Sequence, residues 1–171
     1  SMNLKSENLV EIRRDFHRFP ELGFKEKRTK DKIIGYLKEL GLDVHSGAGI
    51  VGVLRSGEGN KVIGLRADMD ALPIRETNTH DYVSNNTGVM HACGHDGHMA
   101  MLLGAAHKLS KNANFSGTIV FIFQPNEELG LGAKAMMDEG LLENFPMQEI
   151  YGMHNLPGVP TGELLTRSGI I

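Results

Sequence analysis

The chain has 171 residues, 40% of them hydrophobic and 23% charged, with a formal net charge of -3. That is enough for one domain with a sizeable core, and the balance offers no basic stripe of the kind nucleic-acid binding wants. No apolar run approaches a membrane span and no signal peptide opens the chain, so no membrane partner is expected and the expected address is the cytoplasm.

Leu9, Ile12 and Phe16 fall at helical spacing within Ser6 to Arg18, and Pro20 stops that helix. A second amphipathic helix is predicted from Lys27 to Leu40, with Ile33, Ile34 and Leu37 on one face and Gly41 as its C-cap. Strands are predicted at Asp43 to His45, Ile50 to Leu54 and Val62 to Ala67. Ser56-Gly57-Glu58-Gly59-Asn60 reads as a hairpin turn between the last two. A long polar loop then runs from Asp70 to His91, and loops of that length inside a domain are usually functional. A buried helix is expected from about Asp96, marked by Met99, Leu102, Leu103, Ala106 and Leu109. Thr118 to Phe123 is continuously apolar, as expected of a strand covered on both faces. A short helix near Ala133 to Met137, a strand at Glu149 to Met153 and a further strand at Gly162 to Thr166 complete the reading. Helices alternate with strands, so the fold class is α/β, a mixed and mostly parallel sheet flanked by helices. The chain stops at Ile170-Ile171 without a closing helix and reads as a cut domain.

The chemistry centres on His91-Ala92-Cys93-Gly94-His95-Asp96-Gly97-His98, which holds the only cysteine and three of the eight histidines. Thiolate, imidazole and carboxylate are the ligands that divalent transition metals select. A lone cysteine is most often a buried hydrophobe, but beside three histidines Cys93 reads as a ligand, and a helix start just after it should lower its pKa. Three apolar runs end in polar residues that suit a metal: Asp68-Met69-Asp70, Gln124-Pro125-Asn126-Glu127-Glu128 and His154-Asn155. In open α/β sheets such strand ends line the ligand site. Glu127 and Glu128, adjacent on an extended segment, point opposite ways, so one can bind metal while the other moves protons. Asp68 and Asp70 are candidates to orient a ligand histidine, with a turn-closing role competitive for Asp68. Of His91 and His98, one is expected to be such a partner and the other to cap or pack. His17, His45, His80 and His107 read as structural or solvent residues. A cysteine hydrolase pairing Cys93 with His154 is the rival from these residues alone.

Leu65-Arg66-Ala67-Asp68-Met69-Asp70-Ala71-Leu72-Pro73, the His91 to His98 stretch, Gln124 to Glu128, Met153-His154-Asn155 and His17-Arg18-Phe19-Pro20-Glu21-Leu22 occur together and in order. The set resembles the amidohydrolase branch of the aminoacylase and glutamate-carboxypeptidase metallopeptidase family, which includes hippurate hydrolases, indole-acetyl-amino-acid hydrolases and N-acetyl-diaminopimelate deacetylases. The resemblance implies a zinc-peptidase-like catalytic domain with two divalent ions, zinc or manganese, nickel being compatible. Cys93 would bridge them, and His95, Glu128 and His154 would be further ligands. It implies hydrolysis of the amide bond of N-acyl amino acids by a metal-activated water, with Glu127 as general base and Asp70 orienting. The family usually has Ala where Asn126 stands. Family members are also longer: residues 1–171 would be the N-terminal portion of the catalytic domain, without the lid and dimerisation domain or the C-terminal catalytic segment. The full-length protein would then be a homodimer or larger, while the present chain could be a non-catalytic metal-binding fragment.

Overall fold

The computed structural model describes residues 8–169. Helix α1 spans Leu9–Arg18; the part of the expected helix that precedes residue 8 lies outside the described residues. Helix α2 spans Lys27–Glu39 and closes as its Gly41 predicts. Gly41 takes φ 81°, its N–H donates to the Lys38 carbonyl at 3.0 Å, and Leu42 N–H reaches back to the Leu37 carbonyl at 3.1 Å. This pair of bonds is a Schellman motif, which satisfies the last carbonyls of the helix.

Five strands follow: β1 Asp43–Ser46, β2 Ile50–Ser56, β3 Val62–Asp68, β4 Gly117–Gln124 and β5 Glu149–Gly152. Helix α3, His95–Lys111, separates β3 from β4, and two short helices, α4 Gly132–Asp138 and α5 Leu141–Asn144, lie between β4 and β5. The strands form one mixed sheet in the order β1-β2-β4-β3-β5. Two pairings are antiparallel, β1 with β2 and β2 with β4, and two are parallel, β3 with β4 and β3 with β5. The parallel share is therefore half and not most.

The expected hairpin between β2 and β3 does not form, because β4 enters between them. Turn residues dictate only that the chain reverses; pairing goes to the strand that buries most surface. Here that is β4, with Phe121 and Phe123 fully buried, each contributing roughly 2–3 kcal/mol of transfer free energy. The 57–61 loop straddles the start of β4, with Gly59 N–H donating to Ser116 Oγ at 2.7 Å. The hairpin that does form is β1–β2, closed over Gly47 to Gly49.

As its unbroken apolar run requires, β4 is covered on both faces. Ile119, Phe121 and Phe123 face a core built with Ile12, Phe16, Ile33, Leu37, Met99 and Leu103 from the first three helices. Val120 and Ile122 face a smaller cluster with Val51 and Met136. The strand expected at Gly162 to Thr166 is absent: Leu164 and Leu165 are 82% and 69% exposed and no neighbouring strand offers them a ladder. Among the described residues no helix is long and apolar enough to cross a membrane.

Candidate metal centre

Because β3, β4 and β5 run parallel to one another, their carboxyl ends open on the same rim, and α3 begins there. β3 delivers Asp68 and Asp70, the turn after β4 delivers Glu127 and Glu128, the segment after β5 delivers His154, and the approach to α3 delivers Cys93 and His95. The six residues expected at the site, Cys93, His95, Glu127, Glu128, His154 and Asp70, are brought together, and Asp68 stands with them. Cys93, His95 and Glu128 offer ligand atoms within 4.8 Å of one another, as do Asp70, His95 and Glu127, and as do Asp68, His95, His98 and His154.

His95 sits at the centre, fully buried. Its Nε2 faces Asp68 Oδ2 at 3.5 Å, Glu127 Oε2 at 3.6 Å and Glu128 Oε1 at 3.5 Å, while Asp70 Oδ1 stands 3.4 Å from Nδ1. Neither ring nitrogen makes a hydrogen bond, and Glu128 Oε1 is likewise buried without a partner. Orphaned polar atoms at such depth are costly. Two atoms each roughly 2.1 Å from one tetrahedral ion stand about 3.4 Å apart, so the spacing suits ligands of a shared cation better than hydrogen-bond partners. The donor set therefore fits divalent metal.

The electrostatics point the same way. Burial alone would lower the His95 pKa, but Asp70 and the charges of Asp68 and Glu128 raise it. Burial pushes the Cys93 thiol up, and Glu128, Glu127 and Asp68 add to this, to about 12. The lowering expected from the helix start is opposed first by burial and then by the carboxylates around the thiol. Cys93 Sγ lies 3.6 Å from His154 Nε2, the pairing that the cysteine-hydrolase rival needs. His154 Nδ1 bonds the Asn155 carbonyl at 2.7 Å, which leaves Nε2 as the lone-pair nitrogen facing Cys93.

Supporting groups surround this centre. Asp70 accepts the backbone N–H of Glu127 at 3.0 Å and of Glu128 at 3.1 Å, so one carboxylate aims both glutamates. Asn126 precedes them at φ 43°, a left-handed conformation that Asn tolerates far better than Ala, and its N–H donates to buried Glu26 at 2.9 Å. Asp68 does more than close a turn. It is fully buried and paired with Arg66 at 3.0 Å and His98 at 2.7 Å. Burial alone would raise its pKa, but His98, His95 and Arg66 hold it at about 2.

Of the two weaker histidines, His98 is the partner and His91 is the packed one. His91 is buried, both nitrogens lack a bond, and burial pushes its pKa to about 4, so it is neutral. His17, expected to be bland, is buried between Asp96 at 2.8 Å and Glu76 at 3.0 Å, with His80 on the same Glu76 at 3.2 Å. That trio also offers metal-type ligands. Here His17 and Glu76 are held by formed hydrogen bonds, Glu76 also accepting Ser84 N–H and the Asn78 amide, while His80 Nδ1 is buried without a partner. The trio reads as a clamp between α1, the start of α3 and the long loop. No local signal marked it, since Asp96 lies 79 residues from His17.

A five-stranded mixed sheet whose parallel strand ends gather one thiol, imidazoles and carboxylates has the catalytic-domain architecture of metallopeptidases. The chain belongs to peptidase family M20/M25/M40, whose model matches residues 64–169. It is 48% identical over 149 residues to hippurate hydrolase of Campylobacter jejuni, covering 85% of this chain and 39% of that protein. It is 44% identical to thermostable carboxypeptidase 2 of Saccharolobus solfataricus, covering 95% of this chain and 43% of that protein. Among solved structures, the YxeP protein of Bacillus subtilis, a dinuclear metal-binding peptidase of the M20 family, superposes with TM-score 0.85 at 40% identity, covering 90% of this chain and 44% of that one. The chain thus spans about two fifths of the length of the relatives it matches.

Proposed function

We propose that this chain carries the principal metal-binding part of an amidohydrolase that cleaves N-acyl amino acids. The observation that carries this reading is His95, fully buried and without a hydrogen bond among carboxylates spaced at 3.5–3.6 Å. Cys93, His95, Glu128 and His154 would hold the divalent ions. The thiolate favours zinc, while imidazole and carboxylate also accept manganese or nickel. When bound, such a pair acidifies water and stabilises negative charge growing on a carbonyl oxygen. Glu127 is the half-exposed member of the glutamate pair, anchored through its backbone to Asp70, and so serves as the group that takes a proton from the attacking water and passes it to the departing nitrogen. Asp70 holds both glutamates and faces His95, a positioning role.

The substrate class draws support from the relatives. A hippurate hydrolase and a carboxypeptidase share one chemical feature, an amide whose nitrogen side carries a free carboxylate. Residues 1–171 are then the N-terminal portion of the catalytic domain of a longer protein, which would supply a lid, the remaining ligand and a homodimer or larger interface. The test is hydrolysis of N-acyl amino acids against their methyl esters by the metal-loaded full-length protein. Expected is amine release that prefers the free acid and stops on chelation. Chelator-insensitive cleavage stopped only by thiol alkylation would transfer the reaction to Cys93.

A further inference from the structure

The segment that carries His154 has little to hold it. β5 is exposed along its length, and His154 and Asn155 are themselves exposed. Yet His154 must stand opposite Cys93 for the proposed centre to form. The contact that fixes it comes from α3. Asn155 N–H lies 3.1 Å from His98 Nε2, and Asn155 Oδ1 lies 2.8 Å from the same nitrogen. His98 Nδ1 faces a carboxylate, which can only accept, so it carries a proton and donates it to Asp68 Oδ1 at 2.7 Å. Arg66, on the other oxygen of Asp68 at 3.0 Å, keeps that carboxylate ionised and aimed.

Gly94 closes the fit. It takes φ 87°, and a Cβ there would stand 2.3 Å from Asn155 Oδ1. The 154–155 segment therefore lies on the 93–98 segment at three successive points: His154 on Cys93, Asn155 on Gly94, Asn155 on His98. His98 is three residues from His95 on the same helical face, so one turn of α3 supplies both a ligand and the anchor for another.

We infer that His98 is a positioning residue, which through Asn155 seats the His154 imidazole on the cation it shares with Cys93. This rests on the two-cation reading above and adds a division of labour to it: His98 governs one ion and not the other. The arrangement resembles the outer-shell partners of metal histidines, whose loss typically weakens binding 10- to 100-fold, except that the link runs through the neighbouring backbone.

The experiment is a competitive Zn²⁺ titration of this chain and of His98→Ala and His98→Gln, with long-range ¹H–¹⁵N NMR of the histidine rings. Expected are two binding steps in the parent chain. In His98→Ala the His154-dependent step weakens roughly 10- to 100-fold while the other holds. His98→Gln, which can donate to Asp68 and accept from Asn155, should recover most of the loss, and the NMR should place the His98 proton on Nδ1. Two unchanged steps in His98→Ala would overturn the inference and leave the metal centre standing. Equal loss of both steps in both variants, or an Nδ1 without a proton, would likewise overturn it. A parent chain that binds no zinc would remove the metal reading and this inference together.

Discussion

Glu127→Gln should lower turnover about 100- to 10,000-fold while leaving metal content at the parent level. Gln has nearly the same shape, and the backbone N–H of residue 127 would still donate to Asp70, so the turn after β4 should stay in place. What disappears is the ability to hold a proton between the water and the leaving nitrogen. Glu128 cannot take over, because it is the less exposed of the two and its Oε1 points at His95 from within the buried ligand set. Glu128→Gln should therefore show the opposite signature, a loss of bound metal first and of activity as a consequence. Steady-state kinetics on an N-acyl amino acid, paired with metal analysis of the same full-length preparations, separates the two. Glu127→Gln with activity within a few-fold of the parent would take Glu127 out of the proton-transfer role.

Asp70→Ala should be nearly as damaging, by a different route. Asp70 is 2% exposed and its two oxygens are spent on the Glu127 and Glu128 N–H groups, with Oδ1 also facing His95 Nδ1. Burial alone would raise its pKa, but His95 and the two N–H groups lower it, so the carboxylate is ionised when it does this work. Its removal strands two N–H donors, each costing about 1–3 kcal/mol if water does not reach them. It also frees the two glutamates to drift, which should weaken metal binding by about 10- to 100-fold. Asp70→Asn retains one acceptor and should fall between parent and Ala. Thermal unfolding with and without zinc measures both losses. A variant with parent-like unfolding and parent-like zinc dependence would show that the turn carries its own geometry.

Where a feature depended on local chemistry, the chain announced it. Gly41 ending α2, the two-sided apolarity of β4, and the placing of Asp70, Glu127, Glu128 and His154 beyond strand ends and of Cys93 and His95 at a helix start were all readable, since each follows from a nearby run of residues. What failed depended on distant partners. The Ser56 to Asn60 turn could not reveal that β4, whose residues come much later in the chain, would enter between β2 and β3. The helix two residues away is the local influence on the Cys93 thiol, but burial first, and then Glu128, Glu127 and Asp68 from other parts of the chain, push the other way. His17 looked unremarkable because Asp96 and Glu76 meet it only after folding. His98 was half legible: its spacing from His95 marked a shared face, but its role needed Asp68 and Asn155 in view.

The most direct test of the central claim is the zinc stoichiometry of the metal-stripped chain and of its His95→Ala variant, measured by titration against a chromophoric chelator. Two tight equivalents in the parent, with a sharp loss in His95→Ala, is the result predicted. No tight zinc in the parent, or full stoichiometry without His95, would mean that these convergent side chains do not form a metal centre.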